Sequence, residues 1–264
     1  MDLGLRDRVV LISGAHRGTG AGTARVFAAE GAKVAVHGHE PGQADAVVAG
    51  ILEAGGTAVA VDGDLGTDAG AARVVGQAVA AFGPVEVLVN NYGAPVDSSW
   101  ATPADEWVKG WEVNLLTAVR LTQQVLPAMR ERGWGRVVFI GTIGTELPGD
   151  RNPDYYGTKA ALPLLVRSLA KELRGSGITV NVVSPGMIAT DEIKAMMRRR
   201  ALDAGAEDTW EAVERWAAAH MLANLTGRVA MPEDIGRVVA FVASDAAWHV
   251  NGADLKVDGG ARDA

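Results

Sequence analysis

The sequence predicts one α/β domain, a doubly wound sheet of about seven mostly parallel strands with helices on both faces. Three observations predict it. Short runs rich in Val, Ile and Leu are apolar throughout rather than alternating, as strands covered on both faces are. Longer Ala-rich amphipathic segments separate them, which makes parallel pairing through helical crossovers the natural arrangement. Finally, the 264 residues show no internal repeat and no low-complexity linker, so residues 1–264 read as a single domain.

The elements follow in order. Val9, Val10, Leu11 and Ile12 make Arg8–Ser13 a buried strand. Thr19–Glu30 is a helix that Gly31 ends, and Lys33–Gly38 is the second strand. Gln43–Ala54 is a helix stopped by Gly55-Gly56, followed by strand Thr57–Val61 and helix Asp68–Phe82. Val85–Asn90 is the fourth strand. Arg136–Gly141 and Ile178–Val183 are strands with helix Asp154–Arg174 between them, and Leu255–Val257 is a short last strand.

Composition narrows the function. Hydrophobic residues make up 48% and charged residues 22%, which argues against disorder. With no cysteine, disulfides and thiolate chemistry are excluded. A net charge of -7 without a long basic tract argues against nucleic acid. No apolar run reaches the roughly 18 residues of a membrane span, and Met1–Asp7 does not read as a signal peptide. A cytoplasmic protein is expected. No His or carboxylate cluster has metal-ligand spacing, so no metal is expected.

Two motifs carry chemistry. Tyr155 and Lys159 are four apart and share a helix face. A nearby ammonium favours the phenolate and is expected to lower the phenol's ordinary pKa of about 10, giving a proton donor and acceptor near neutrality. Taken alone, such a pair is also common on plain surfaces. The second motif is Ser13-Gly14-Ala15-His16-Arg17-Gly18-Thr19-Gly20, between the first strand and the first helix. Glycines let backbone approach a pyrophosphate, and the helix start offers free N–H groups and a positive dipole end.

The G-x-x-x-G-x-G spacing, joined to Tyr155-x-x-x-Lys159, resembles the short-chain dehydrogenase/reductase family, in particular the branch that includes 3-oxoacyl-carrier-protein reductases. The resemblance covers nearly the whole chain and implies a Rossmann-type fold. Asp64-Leu65 stand where the family contacts adenine. Asn90-Asn91-Tyr92-Gly93 matches its N-N-A-G turn with Tyr for Ala, and Asn114 stands at its catalytic Asn. Asn181-Val182-Val183-Ser184-Pro185-Gly186 with Thr190 matches the N-x-V-x-P-G-x-x-x-T segment at the nicotinamide end. Gly227-Arg228, Pro232-Glu233-Asp234 and Val257-Asp258-Gly259-Gly260 complete the pattern.

The resemblance implies catalytic roles for Asn114, Thr142, Tyr155 and Lys159. Tyr155 passes a proton to the carbonyl oxygen as hydride arrives, Lys159 holds the nicotinamide ribose, and Asn114 anchors a water. Thr142 occupies the family's usual Ser position; it keeps the hydroxyl and adds a methyl that narrows the pocket. Tyr156, one residue out of register, is expected in packing or at the rim. Gly14, His16, Arg17, Gly18, Thr19, Gly20, His39, Asp64, Leu65, Asn91, Gly93, Tyr155, Lys159, Pro185, Gly186, Ile188 and Thr190 are the implied cofactor residues. His37 reads as a strand-end residue.

NADP(H) is favoured over NAD(H). An acid at the Gly38 position, which would bind the ribose 2′-hydroxyl, is missing, and the resemblance implies that Arg17 and His39, where NADP-using members often carry basic residues, meet a 2′-phosphate. Glu40 opposes this if it points inward, and Arg17 also suits an exposed loop. Residues 191–226 form a variable substrate lid holding Met196, Met197, Trp210, Trp216, Met221 and Leu222, which serve either core and subunit contact or a bulky, mostly apolar substrate such as a 3-oxoacyl group. Arg198-Arg199-Arg200 suits a solvated helix face, or an anionic substrate tail. The family usually forms homotetramers, and Leu162, Leu165, Val166 and Leu169 give the Tyr155 helix a wide apolar arc that fits this. An NAD-dependent alcohol dehydrogenase and a non-catalytic cofactor sensor are the alternatives. Thr142 and Tyr92 speak for the sensor; Tyr155, Lys159 and Asn114 speak against it.

Overall fold

The computed structural model describes residues 2–95, 97–221 and 224–261. The elements are β1 (Val9–Ile12), α1 (Gly18–Ala29), β2 (Lys33–Gly38), α2 (Asp45–Glu53), β3 (Thr57–Asp62), α3 (Asp68–Phe82) and β4 (Val87–Asn90). There follow α4 (Ala104–Trp111), α5 (Thr117–Arg132), β5 (Gly135–Ile140), α6 (Pro153–Glu172), β6 (Ile178–Pro185), α7 (Asp191–Asp203), α8 (Trp210–His220), α9 (Pro232–Val242) and β7 (Asp254–Val257). The strands form one parallel sheet in the order β3-β2-β1-β4-β5-β6-β7. The order reverses between β1 and β4, and the crevice at the carboxyl ends of those strands is where an open α/β sheet takes a ligand.

The apolar strands are buried because both faces are covered. Ile12 and Val36 point into a core completed by Phe27 of α1, Ile51 of α2 and Ile235 of α9. Leu11 and Leu88 point the other way, against Val74 of α3, Leu121 of α5 and Leu162 of α6.

Most element ends fall a residue or two from expectation, and the connection from β4 to β5 holds more than was read. β4 begins at Val87, just after Glu86, whose backbone still bonds Val9 O and Arg136 N at 2.9 and 3.0 Å while its carboxylate accepts from Val9 N at 3.0 Å and Arg8 at 2.8 Å. β6 runs on to Pro185, which pairs with Val257. Between β4 and β5 the chain forms α4 and α5, joined through a π-helical turn at Glu112–Leu116.

The segment at 191–226 has a small core of its own. Met197, Val213 and Ala217 are buried there, and Met196, Trp210, Trp216 and Met221 pack against them. Most of its large apolar side chains are therefore engaged between α7 and α8. Leu222 lies outside the described residues. Arg198 is exposed and binds Asp208 at 2.6 Å.

Candidate active site

The turn after β1 is fixed by side chains that close on its backbone. Ser13 Oγ accepts from Asn91 N at 3.0 Å and Tyr92 N at 2.9 Å. Asn91 Nδ2 donates to the carbonyls of Ser13 and Gly14 at 2.9 and 3.0 Å. This packing explains Gly20: a Cβ there would lie 2.6 Å from both Asn91 Nδ2 and the Gly14 oxygen. The N–H groups that open α1 have no intrahelical acceptor, so Gly18, Thr19 and Gly20 offer donors to an anion. From β6, the segment through Pro185, Gly186, Ile188 and Thr190 returns toward this turn. Ala189 N bonds the Ala230 oxygen at 2.8 Å, and Thr190 Cγ2 stands 3.4 Å from the Cβ position of Gly18.

The residues expected to choose the cofactor already have partners. Arg17 is exposed and pairs with Glu192 of α7 at 2.6 Å. The Glu192 carboxyl is held below its usual range, first by its own backbone N–H and then by Thr190 and Arg17. His39 Nδ1 lies 3.9 Å from Asp64, and both are partly exposed. Leu65 is buried in the core. Beside the turn, a cavity of about 350 Å³ is lined in part by His16, Arg17, Gly18, Thr190 and Lys194. Burial, then Arg17, lowers the His16 pKa. Gly38 faces Gln43, whose Oε1 accepts from His39 N and Glu40 N at 2.8 and 3.2 Å. A Cβ on Gly38 would sit 2.8 Å from Gln43 Cβ, so an acid there would displace this cap.

At the catalytic end, Thr142 leaves β5 in extended conformation and caps a short 3-10 turn, its Oγ1 accepting from Gly144 N at 3.1 Å. The hydroxyl proton stays available to a substrate oxygen. The Tyr156 ring covers Gly144 and meets the Tyr155 ring edge-on, with centroids 5.7 Å apart. Tyr155 and Lys159 lie on successive turns of α6. Lys159 is buried and donates to the Ile140 carbonyl at 2.9 Å.

One expectation is corrected here. Lys159 does not lower the Tyr155 pKa in this arrangement. Burial, then the Tyr156 phenol, pushes Tyr155 up to about 12, and burial brings Lys159 down to about 8. The physical reason is that the ammonium is turned to the Ile140 carbonyl, with Nζ 5.9 Å from the Tyr155 ring centroid, while both groups are out of water.

Asn114 sits in the π-helical turn, a distortion that recurs at functional sites. Its Nδ2 donates to the Gly110 carbonyl at 3.1 Å, while the buried Oδ1 has no protein partner. Gly93, with φ +151°, brings backbone to this point: a Cβ there would lie 2.7 Å from Asn114 Oδ1 and 3.4 Å from Lys159 Nζ. Asn114, Gly93 and Lys159 therefore converge.

Sequence reasoning missed two supporting groups. Asp154, next to Tyr155, is buried and accepts a hydrogen bond from the Ser98 hydroxyl, while Ser98 N donates to Asn152 Oδ1 at 3.2 Å. These bonds pin the loop after β4 to the start of α6. The other group is His37, wholly buried between the turn and Gly63. Neither has a local sequence signal.

These residues fit a nicotinamide dinucleotide. Open helix-start donors suit a pyrophosphate, and the unpartnered Asn114 Oδ1 beside buried Lys159 suits a hydroxyl-bearing ribose and an ordered water.

Comparison with known proteins agrees. Residues 14–262 match a family model described as enoyl-(acyl carrier protein) reductase. L-rhamnose 1-dehydrogenase (NAD(P)(+)) of Azotobacter vinelandii is 36% identical over 262 residues, 97% of each chain. A 3-oxoacyl-(acyl-carrier-protein) reductase of Agrobacterium tumefaciens with NADP bound superposes with TM-score 0.85 at 33% identity, covering 98% of this chain and 96% of that one. L-sorbose reductase of Gluconobacter frateurii, in complex with NADPH and L-sorbose, superposes with TM-score 0.90 at 29% identity over 100% of both chains.

Proposed function

The chain belongs to the short-chain dehydrogenase/reductase family, and from that premise we propose that it interconverts a ketone and a secondary alcohol with NADP(H) in preference to NAD(H). The observation that carries this reading is the placement of Tyr155 and buried Lys159 on one helix beside Asn114, with the Thr142 hydroxyl on the adjoining turn. The bound cofactor supplies the hydride in reduction and receives it in oxidation.

The chain's own residues do the rest. Tyr155 Oη gives its proton to the carbonyl oxygen, or takes it from the alcohol. Thr142 Oγ1 donates to the same oxygen and stabilises the charge that develops there. Lys159 holds ribose hydroxyls and, when Nζ swings from the Ile140 carbonyl toward the phenol, favours the phenolate. Asn114 Oδ1 accepts from a water that resupplies the proton.

The missing acid at Gly38 and the guanidinium of Arg17 support NADP(H). Its 2′-phosphate would exchange with Glu192 for Arg17. Leu147, on the loop after Thr142, and Met187, after Gly186, are exposed, and apolar side chains at these two positions would suit a 3-oxoacyl substrate. The Glu146 carboxylate on the same loop, bound to Lys256 at 2.7 Å, instead favours a hydroxyl-rich ketone. NADPH and NADH consumption against 3-oxoacyl thioesters, apolar ketones and keto-sugars tests the reading. Turnover of at least one class with NADPH is expected; tight NADPH binding with no turnover of any would favour a sensor.

The proposed assembly is a homotetramer with α6 at one interface. Leu162 and Val166 face the sheet, whereas Leu164 and Leu165 of the same helix are 65% and 39% exposed. Light scattering showing a stable monomer at micromolar concentration would contradict it.

A further inference from the structure

His37 is the most enclosed titratable side chain near the cleft, and the mechanism above makes no use of it. Its relative exposure is 0%. Its ring lies between two loops far apart in sequence. Gly14 N donates to Nδ1 at 3.0 Å, and Nε2 bonds the Gly63 carbonyl at 2.9 Å. A carbonyl only accepts, so Nε2 must carry the proton and Nδ1 must be the bare acceptor. The His37 backbone carbonyl also accepts from Ala15 N at 2.8 Å. One residue thus takes two consecutive N–H groups of the turn. The Tyr92 ring meets the imidazole edge-on at 5.9 Å, and Tyr92 Cδ2 lies 3.2 Å from the Cβ position of Gly14.

We infer that His37 is a positioning residue for cofactor binding: it draws the N–H groups of Gly14 and Ala15 back into the sheet, so that Gly18, Thr19 and Gly20 at the start of α1 are the donors presented to the pyrophosphate. The inference rests on the reading of this turn as a dinucleotide site. His37 touches no ligand, so its effect must appear in cofactor affinity and not in the chemical step. Of its two ring bonds, the one from Gly14 reaches the cofactor turn directly. The one to Gly63 ties down the loop after β3.

The two ring bonds can be separated. His37→Asn places an acceptor near the Nδ1 position and removes the reach to Gly63. His37→Phe keeps an aromatic ring and removes both bonds. NADPH and NADH are titrated calorimetrically into the full-length parent and both variants, with urea unfolding and kcat at saturating cofactor measured alongside. The expectation is that His37→Phe binds both cofactors roughly tenfold more weakly, the scale of one lost buried hydrogen bond, with kcat within about threefold of the parent. His37→Asn is expected to lose stability while keeping affinity within about threefold. Should Phe not fold, His37→Leu carries the same arm. Affinity unchanged in the variant lacking both bonds, or affinity falling in step with stability in His37→Asn, overturns the inference. A parent that binds neither dinucleotide overturns the underlying reading instead.

Discussion

At the turn after β1, Ser13, His37 and Asn91 commit their side-chain hydrogen bonds to neighbouring backbone. At the end of β5 and in α6, the polar groups are held in place but not used up. Thr142 accepts one bond and keeps its proton, and Asn114 keeps an acceptor. Lys159 is buried on a single carbonyl. The first region is organised in advance, and its ligand-facing groups are backbone N–H donors. The second stores reactivity in side chains whose pKa values burial has moved apart. A change at the turn should therefore act on cofactor affinity, and a change at the catalytic end on turnover.

The contrast is broken most severely at Lys159, which serves both ends. Lys159→Ala is expected to lower kcat by about 10²–10⁴, the range of an acid–base group, and to weaken cofactor binding as well; steady-state kinetics with a cofactor titration will show whether both fall. Thr142 sharpens it. Thr142→Val keeps the shape and deletes the donor, so kcat should fall by about 10²–10³ with cofactor affinity unchanged. Thr142→Ser should hold or raise activity. Equal rates for parent and Val variant would remove Thr142 from the mechanism.

A third prediction concerns pH. Burial lowers the His37 pKa to about 4 from 6.5, aided by His16 and His39 and opposed by Gly63 and Asp62. Below 6.5 the unfolded chain takes up a proton that the fold refuses. The resulting contribution is complete above pH 6.5 and is lost as pH falls to about 4, a change on the order of 3 kcal/mol. Urea unfolding at pH 7 and pH 4.5 should show the parent losing more stability than His37→Asn; parallel losses would contradict the assignment. The smallest effect is expected at Arg17, because exposed ion pairs contribute little. Arg17→Ala should weaken NADPH by roughly tenfold and leave NADH nearly unchanged. Equal loss of both cofactors would show that Arg17 does not read the 2′-phosphate.

What the sequence disclosed follows the same division. A short continuous apolar run such as Val9–Ile12, bounded by turn residues, reveals a buried parallel strand, because a strand covered on both faces has no side that needs polar residues. Tyr155 and Lys159 are readable because helical spacing alone brings them together. His37 was not readable: its partners Gly14 and Gly63 lie 23 and 26 residues away, and only the sheet order brings them together. The turn of Lys159 toward Ile140, 19 residues back, was hidden for the same reason. So was the π-helical turn at Asn114, which packs against α6. In the variable segment, helical spacing favours core or subunit contact over pocket lining for Met197 and Trp216, and the α7–α8 contact places them in a core.

The central claim is that proton transfer and cofactor binding reside in separate parts of the cleft, and Tyr155→Phe tests it most directly. The substitution removes the phenolic proton and keeps the ring that packs against Tyr156. Turnover of a ketone that the parent reduces with NADPH is measured together with NADPH affinity. The account predicts a fall in kcat of about 10²–10⁴ with affinity within about twofold of the parent. Unchanged turnover, or a loss of affinity as large as the loss of rate, would contradict it.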